Sequence, residues 1–302
     1  WIGLYAADVS PNATVPNPKA QMFQDGDMPW TSPAPIKFIK CSSADPSFAT
    51  SAAGSGSARV RVLNMRTDLK LWLVLGGLKT PRPSAATPPL RMDPKYANEP
   101  MHVHIARTQD PTEMLVMWTS ADAEGQQLRF GLSSGSYTHT VSATSNTYSQ
   151  LDLCGEPALT DGWFAPGWMH RALVTGLQTP KQPVFYVVGA DKDGYSSEAS
   201  FATPQPVGAT EAVDLLITAD VGALEPDSFH SHWSGPDTQE QQANLTWRHL
   251  SAAPQADVIM HYGDLSYATG YLAKWELYMT QIEEVARRTP YMTGLGNHER
   301  DW

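Results

Sequence analysis

The sequence predicts two all-β sandwich domains followed by an α/β domain, and three observations indicate this order. Short apolar segments separated by proline, glycine and serine recur over residues 1–204, which is typical of β-sandwiches. Two proline-rich stretches, 80–94 and 204–206, divide the chain. After the second of them, strand and helix patterns alternate, which indicates a mixed, largely parallel sheet. We therefore expect domains at 1–88, 97–204 and 210–302.

The first domain is expected to hold short strands joined by irregular segments. Its strands are marked by apolar runs and, in one case, by alternation at period 2. No catalytic constellation occurs in it, so packing or interaction is the expected role. Proline recurs through 80–94, which predicts a stiff, extended linker after the domain. We assign the strands to 1–5, 36–40, 59–63 and 71–75.

The second domain is predicted from evenly spaced short strands, an arrangement typical of a β-sandwich. His102 and His104 are two residues apart, on one face of the first strand. Such a pair could chelate a metal ion, although a solvent-facing strand surface is the more common setting. We assign the strands to 101–105, 114–118, 128–131, 172–174 and 184–188.

The third region is predicted to alternate strands with helices. One helix is predicted to begin at Asp237, where Glu240 completes a capping box. The other carries Tyr278, Ile282 and Val285 on one apolar face. The middle strand is a continuous apolar run, which marks it as central and covered on both faces. We assign the strands to 213–218, 258–260 and 291–295, and the helices to 237–252 and 271–288.

Polar side chains follow each of these three strands. Asp220-Val221-Gly222 follows the first, the segment from Gly263 to Tyr267 follows the second, and Gly296-Asn297-His298-Glu299 follows the third. Because ligands of open α/β sheets bind beyond the carboxyl ends of the strands, these loops are expected to converge on one edge. Residues 230–232, His-Ser-His, could also approach that edge, although a solvent-exposed loop is expected.

Phosphate ester hydrolysis is the chemistry that this donor set fits. Two metal ions roughly 3.5–4 Å apart can clamp the phosphate oxygens and convert bound water to hydroxide. Asp264 suits the bridging position, and Asp220 suits a terminal position on the first metal. Tyr267 as a phenolate favours Fe(III), while the amide oxygen of Asn297 suits the second metal. His298 is expected to face the substrate, either donating a proton to the leaving group or holding the phosphate.

In this order, the DxG, GDxxY and GNHE motifs resemble those of the metallophosphoesterases. The tyrosine of GDxxY narrows the resemblance to the purple acid phosphatases, and GNHE followed by Arg-Asp-Trp is similar to their large plant-type members with an extra N-terminal domain. The resemblance implies a fibronectin-III-like second domain and makes 210–302 the N-terminal part of an α/β metallophosphoesterase domain. It implies Fe(III) paired with Zn, Mn or Fe(II), and hydrolysis of phosphomonoesters at acidic pH. It assigns the roles given above to Asp220, Asp264, Tyr267, Asn297 and His298.

The family pattern also requires two histidine motifs, VxxH and GHxH, beyond GNHE. The sequence reaches Trp302 before either could occur, so both metals would be undercoordinated by this chain. One hypothesis is a segment of a longer secreted acid phosphatase, inactive by itself. The other is a non-catalytic extracellular relative that serves adhesion or assembly, with a remnant or partner-completed phosphatase domain. In either case, apolar strand faces and a sheet edge are expected to be exposed.

Simpler roles remain open for the candidate site residues. Asp220 and Asp264 could merely cap helices that follow their strands. Tyr267 could be a core tyrosine, and His298 could be a structural histidine. Glu299 is expected to cap backbone groups or to pair with the arginine that follows it.

Charge and composition exclude some functions. The net charge is −10 and no Lys/Arg run occurs, so nucleic acid is not an expected partner. The longest apolar stretch is too short to span a bilayer. The chain starts within an apparent strand and without an initiator Met, so an upstream segment such as a signal peptide is expected.

Secretion is also suggested by two glycosylation sequons, at Asn12 and Asn244. Cys41 and Cys154 could be buried free thiols, could pair with each other, or could pair with cysteines outside this chain. An outside partner is favoured for Cys154. The sequence leaves the oligomeric state open, with a homodimer or an extracellular assembly partner both compatible.

Overall fold

We describe the fold from a computed structural model of the chain. Within the residues that it describes, the chain is mostly β-sheet with one α-helix. None of the helices described is long and apolar enough to cross a membrane. The described residues are 1–13, 31–41, 49–50, 56–206, 208, 210, 212–223, 230–231 and 256–299.

The N-terminal region is built on a five-stranded antiparallel sheet. Leu4 and Tyr5 are adjacent on its central strand, so they face opposite sides of the sheet, and both are buried. Tyr5 packs with Phe38 and Val74 on one face, while Leu4 packs with Leu69 on the other. The strands of this region are β1 (Ile2–Ala6), β2 (Asn12–Ala13), β3 (Thr31–Ser32), β4 (Lys37–Ile39), β5 (Ala49–Thr50), β6 (Gly56–Ser57), β7 (Leu69–Leu75) and β8 (Arg82–Ala86).

The middle region has two sheets that share one apolar core. Alternating side chains of the first sheet, such as Val116 and Trp118, meet Leu128, Tyr186 and Val188 of the second. The first sheet has the order β13-β14-β10-β9 and the second β12-β11-β15-β16, with β17 also on β15. These strands are β9 (Met101–Ala106), β10 (Met114–Ser120), β11 (Gln127–Gly131), β12 (His139–Ser142), β13 (Thr144–Asn146), β14 (Trp168–Val174), β15 (Pro183–Ala190), β16 (Gly194–Tyr195) and β17 (Ala199–Ala202).

The C-terminal region holds a parallel three-stranded sheet covered on one face by a helix. Tyr278, Ile282 and Val285 of the helix pack against Ile259 and Tyr291 of the sheet. The order of the sheet is β18-β20-β21, which confirms the predicted central strand and the parallel pairing. The elements are β18 (Leu215–Thr218), β19 (His230–Ser231), β20 (Val258–Tyr262), α1 (Ala273–Ala286) and β21 (Tyr291–Gly294).

The sequence predicts that the central strand, β20, is covered on both faces, and the structure corrects this prediction. Burial alternates along β20, and Tyr262 at its end is 56% exposed. On the neighbouring strand, Leu215 and Ile217 are 51% and 60% exposed. Among the described residues, α1 is the helix that packs on this sheet, and it covers one face. The expected exposure of apolar strand faces is confirmed for Leu215 and Ile217.

Two predictions about the N-terminal region are wrong. Residues 59–63 form no strand, because Val60 and Leu63 pack individually onto the Leu4–Leu69 cluster without a ladder partner. The predicted linker instead contributes β8, which pairs with β7 at the edge of the sheet. Edge strands tolerate proline because one side of the strand needs no backbone donor. The sequence also predicts a sandwich of two packed sheets for this region. The described residues instead form one sheet with short two-stranded ribbons.

The two histidines of β9 also differ from expectation. His102 is 3% exposed and His104 is half-buried, so neither a solvent-facing surface nor an open chelating pair is formed. Burial, the largest influence, lowers the pKa of His102 to about 4. His102 adopts a left-handed backbone, φ 59°, and its amide donates to Glu283 of α1 at 2.8 Å.

The short strand β19, which follows the loop after β18, joins the sheet of the N-terminal region. β19 extends the N-terminal sheet by pairing with β4, with His230 opposite Phe38. This pairing satisfies backbone groups that would otherwise form an open edge. His230 and Ser231 therefore lie in a strand and not in the predicted loop. The predicted helix at 237–252 lies outside the described residues.

Cys41 and Cys154 are both exposed, and neither forms a disulfide. Burial and mutual pairing are thus excluded, while pairing with cysteines outside this chain stays a prediction. The sequon at Asn12 falls on an exposed residue of β2, whereas Asn244 lies outside the described residues.

Helix α1 connects all three regions through polar contacts. Arg66 of the N-terminal region donates two hydrogen bonds to Glu276 of α1, both 2.7 Å long. The side chains of this pair are only 5% and 8% exposed. Tyr186 of the middle region donates its hydroxyl proton to the carbonyl of Arg287, at the end of α1. The helix therefore fixes the C-terminal sheet against both β-regions.

Candidate functional site

The loops that follow β18 and β20 are joined through their backbones. The amide of Asp220 donates to the carbonyl of Gly263 at 3.3 Å, and that of Gly222 donates to the carbonyl of Leu265 at 2.8 Å. Parallel pairing brings the ends of the two strands to the same edge. The predicted convergence of these loops is therefore present in the fold.

Three residues at this edge adopt the left-handed backbone conformation. Their φ angles are 55° for Asp220, 51° for Asp264 and 52° for Tyr267. Side chains beyond glycine rarely adopt such angles, and they persist only where the surroundings hold them. Local strain of this kind clusters at functional sites. Its concentration in the DxG and GDxxY motifs marks this edge as the candidate site.

The same three residues bring their oxygen atoms together. The Tyr267 hydroxyl donates to Asp220 Oδ1 at 2.7 Å and lies 3.4 Å from Asp264 Oδ2. Burial, the hydrogen bond to Asp220 and the two negative charges together raise the pKa of Tyr267 above its ordinary value. Without a cation, the phenol therefore keeps its proton. A multivalent cation placed among these oxygens would reverse that balance.

Two glycines allow the second and third loops to approach each other closely. A Cβ on Gly263 would lie 2.5 Å from the amide nitrogen of Gly296. A Cβ on Gly296 would lie 2.1 Å from Asp264 Oδ1 and 2.4 Å from the Asp264 amide nitrogen. The glycines of the GDxxY and GNHE motifs thus have a steric explanation.

Replacement of Gly296 by alanine is expected to disturb the site directly. Its methyl group would occupy the space of the Asp264 carboxylate, so the loop must shift, at a cost of about 1–3 kcal/mol or more. Urea unfolding of the native protein measures this loss. Gly155→Ala is the matched control, because a Cβ there meets nothing within 4 Å. Equal stability of both variants would contradict the close approach of the loops.

Glu299 connects the loops that follow β20 and β21 by accepting three backbone hydrogen bonds. Its carboxylate accepts from the amides of Asp264 at 2.8 Å, Leu265 at 2.7 Å and Gly296 at 2.8 Å. The predicted capping role of Glu299 is thereby confirmed. Since buried backbone donors need partners, the carboxylate both satisfies these amides and fixes the backbone that carries Asp264.

The structure places His298 in the site and leaves Asn297 at its border. The backbone amide of His298 donates to Asp264 Oδ1 at 3.1 Å, and its ring lies 4.5 Å from the Tyr267 ring. Asn297 is exposed in the same turn. Within the described residues, no hydrogen bond connects the Asn297 side chain to Asp220 or Asp264. Its predicted role as a metal ligand stays a prediction, as do the roles of the other four residues.

His261 is a polar residue of this region to which the sequence pattern assigns no role. It lies in β20, is 0% exposed, and contacts the hydroxyl groups of Tyr278 and Tyr291. A histidine that follows directly on a continuous apolar run is the signal available in the sequence. Such a run indicates a strand, but it does not indicate what a histidine at its end contacts.

The oxygen atoms at this edge fit part of a metal site. The described residues bring together no group of three His, Cys, Asp or Glu side chains that could hold a metal ion. The third donor here is instead the phenol of Tyr267. Two carboxylates and one phenol are hard oxygen donors, and their convergence on one point suits a hard cation such as Fe(III).

Comparisons with known proteins agree with this fold. The family described as "Purple acid Phosphatase, N-terminal domain" matches residues 100–203. "Probable inactive purple acid phosphatase 1" of Arabidopsis thaliana is 29% identical over 100% of this chain and 48% of its own length. "Purple acid phosphatase 5" of the same plant is 26% identical over 69% of this chain and 47% of its own length.

A solved structure extends the likeness to the whole chain. Purple acid phosphatase PPD1, isolated from yellow lupin seeds, superposes with a TM-score of 0.84 at 29% identity, over 100% of this chain and 52% of the lupin chain. Together these comparisons support a purple acid phosphatase of the plant type with an additional N-terminal domain. It spans about half the length of the curated relatives it matches.

Proposed function

We propose that this chain supplies the N-terminal half of a metal-dependent acid phosphatase that hydrolyses phosphomonoesters. The observation that carries the proposal is that carboxylate oxygens of Asp220 and Asp264 both lie within 3.4 Å of the Tyr267 hydroxyl, at the carboxyl edge of a parallel sheet. The three-stranded sheet with its helix would be the first part of a metallophosphoesterase domain. The middle region would be its fibronectin-III-like neighbour.

In this proposal, Asp220, Asp264 and Tyr267 hold Fe(III), and Asn297 contributes to a second site for Zn, Mn or Fe(II). When bound, such ions supply charge neutralisation of the phosphate and an activated water at neutral or acidic pH. The chain's own contribution is to orient the donors. Glu299 fixes the backbone of Asp264, and the left-handed conformations turn the donor side chains toward one point.

His298 is proposed to face the phosphate ester. Its ring lies beside Tyr267, and its backbone is bonded to Asp264, so its position is coupled to both proposed iron ligands. From there, its imidazole could hold the phosphate or deliver a proton to the leaving oxygen. Secretion, with glycan attachment at Asn12 and Asn244, is part of the same proposal and rests on the sequons.

Hydrolysis of p-nitrophenyl phosphate at acidic pH tests the proposal. The native protein is expected to turn over substrate and to lose that activity when its metal is removed by chelation. The 302-residue chain alone is expected to show no turnover, because two carboxylates, a phenol and an amide leave both metals undercoordinated. Robust hydrolysis by the 302-residue chain would contradict this assignment of its role.

A second candidate is a non-catalytic extracellular protein that serves adhesion or assembly. It is favoured by one observation, since a relative matching the whole chain is named "probable inactive". The two candidates differ in a measurable way. A native protein that binds iron but hydrolyses no phosphomonoester would support the second candidate, whereas metal-dependent turnover would exclude it.

A further inference from the structure

A pocket of about 430 Å³ lies where the middle region meets the amino ends of the parallel strands, at the opposite end of that sheet from the candidate site. Asp214, Asp257 and Pro290, which line it, directly precede β18, β20 and β21. Phe201 of β17 lines the side formed by the middle region. Pockets of about 300–1,000 Å³ typically take small organic ligands, so the volume suits such a molecule.

The charged side chains of this pocket are mostly cationic. Arg107, Lys181 and Arg288 line it, and none of the three forms an ion pair among the described residues. Asp214 and Asp257 also line it, which leaves one positive charge in excess. The chain as a whole carries a net charge of −10, so a pocket with the opposite sign is a local exception. An anion is therefore the ligand that its charge favours.

Arg107 has hydrogen-bonding capacity that the described residues leave unused. Its Nε is buried without a partner, and its Nη2 lies as far as 3.5 Å from the carbonyl of Asp257. Burial, the largest influence, lowers the pKa of Arg107, and the charge of Asp257 partly offsets this. Buried donors without partners are rare and call for an explanation. An oxyanion would supply the partner, because a guanidinium binds phosphate through two parallel hydrogen bonds.

The charge and volume of the pocket together point to one class of anion. A phosphate monoester carries about −1.5 to −2 charges at pH 7, which suits three cations better than a single carboxylate does. The Ser200 hydroxyl also lines the pocket and makes no hydrogen bond with the described residues, so it can donate to a phosphate oxygen. A bare phosphate ion would leave most of the volume empty, whereas an ester can fill it and contact Phe201.

We propose that this pocket is a second, non-catalytic site that binds a small phosphate ester through Arg107, Lys181 and Arg288. The proposal does not rest on the phosphatase function, because its residues lie at the other end of the strands from the motif loops. It is tested with the native protein after chelation has removed its metal, so that no phosphate is held by metal. The carboxylates of the metal-free candidate site repel an anion, which leaves the pocket as the expected site.

Equilibrium dialysis with glucose 6-phosphate and with inorganic phosphate measures the affinity. Glucose 6-phosphate is expected to bind once per chain and more tightly than inorganic phosphate. Lys181→Met and Arg288→Met are each expected to weaken it by about 10-fold, as loss of a hydrogen bond to a charged group predicts. Both residues are exposed, so these substitutions leave the core intact. Arg107→Lys keeps the charge but loses the planar fork, and it is expected to weaken binding as well.

Arg171→Met is the matched control, because Arg171 is an exposed arginine of β14 that does not line the pocket. It is expected to leave the affinity for glucose 6-phosphate unchanged. Absence of binding to the native protein, or equal affinity in all variants, would overturn the proposal. Inorganic phosphate that binds as tightly as glucose 6-phosphate would overturn the assignment of an ester. Iron binding and phosphatase turnover, measured separately, decide the proposed function and leave this result unaffected.

Discussion

Asp264→Asn is expected to remove bound iron and phosphatase activity together from the native protein. One oxygen of Asp264 lies 3.4 Å from the Tyr267 hydroxyl, and the other accepts from the His298 amide at 3.1 Å. Asparagine keeps the shape of the side chain but removes the charge that a bridging ligand requires. We expect iron affinity to fall by more than about 100-fold, because losing a metal ligand should weaken binding more than losing a residue that only orients a ligand.

Iron content and p-nitrophenyl phosphate turnover, measured on the same preparation, test this expectation. Asp214→Asn is the control, since Asp214 is an exposed carboxylate just before β18, at the opposite end of that strand from Asp220. The control is expected to keep both iron and activity. Survival of iron and activity in Asp264→Asn would show that the bridging assignment is wrong.

Arg66→Ala is expected to cause the largest loss of stability among substitutions far from the site. Arg66 binds both carboxylate oxygens of Glu276 at 2.7 Å, and the two side chains are 5% and 8% exposed. His102 lies near the same carboxylate, but burial keeps it neutral at physiological pH by lowering its pKa to about 4. Removing Arg66 thus leaves a buried carboxylate without its cation, which typically costs about 3–5 kcal/mol.

The change is measured by urea unfolding of the native protein. Lys192→Ala is the matched control, because Lys192 forms ion pairs with Glu124 and Asp122 at the surface. It is expected to leave the unfolding midpoint unchanged, since surface pairs contribute little. The double variant Arg66→Met/Glu276→Leu is expected to recover most of the lost stability, because it leaves no buried charge. A loss in the double variant as large as in Arg66→Ala would contradict the explanation.

The C-terminal region is the most predictable part of the chain, because its signals are local. Apolar runs and the periodicity of Tyr278, Ile282 and Val285 indicate three strands and the helix that covers them. The rule that ligands bind at the carboxyl ends of parallel strands is enough to predict that the three motif loops converge. Gly263 and Gly296 are visible in the same motifs, although the close approach that requires them emerges only when the loops are packed together.

The features that sequence reasoning misses depend on partners far away along the chain. β8 forms from a proline-rich segment because β7 offers it an edge, and β19 pairs with β4 across most of the chain's length. His102 is expected at a solvated surface, but α1 covers it. Composition and periodicity report which face of an element is apolar. They do not report which distant element will cover that face.

The interior polar contacts escape prediction for a related reason. Arg66 and Glu276 are separated by 210 positions, and His261 meets Tyr291 across 30. A charged or polar residue in a sequence usually signals the surface. Only tertiary packing converts such residues into a buried ion pair or a fixed imidazole. Such contacts could be predicted only by knowing that three regions meet at one helix.

The most direct test of the central claim is the visible absorption of the iron-loaded native protein. We expect a charge-transfer band from Tyr267 bound to Fe(III), absent from Tyr267→Phe and retained in Tyr262→Phe. Tyr262 is the matched control because it is the last residue of β20, the strand that leads into the Tyr267 loop. It is 56% exposed, and it donates its hydroxyl proton to the sulfur of Met260. A band that persists unchanged in Tyr267→Phe would contradict the assignment of this tyrosine, and with it the proposed metal site.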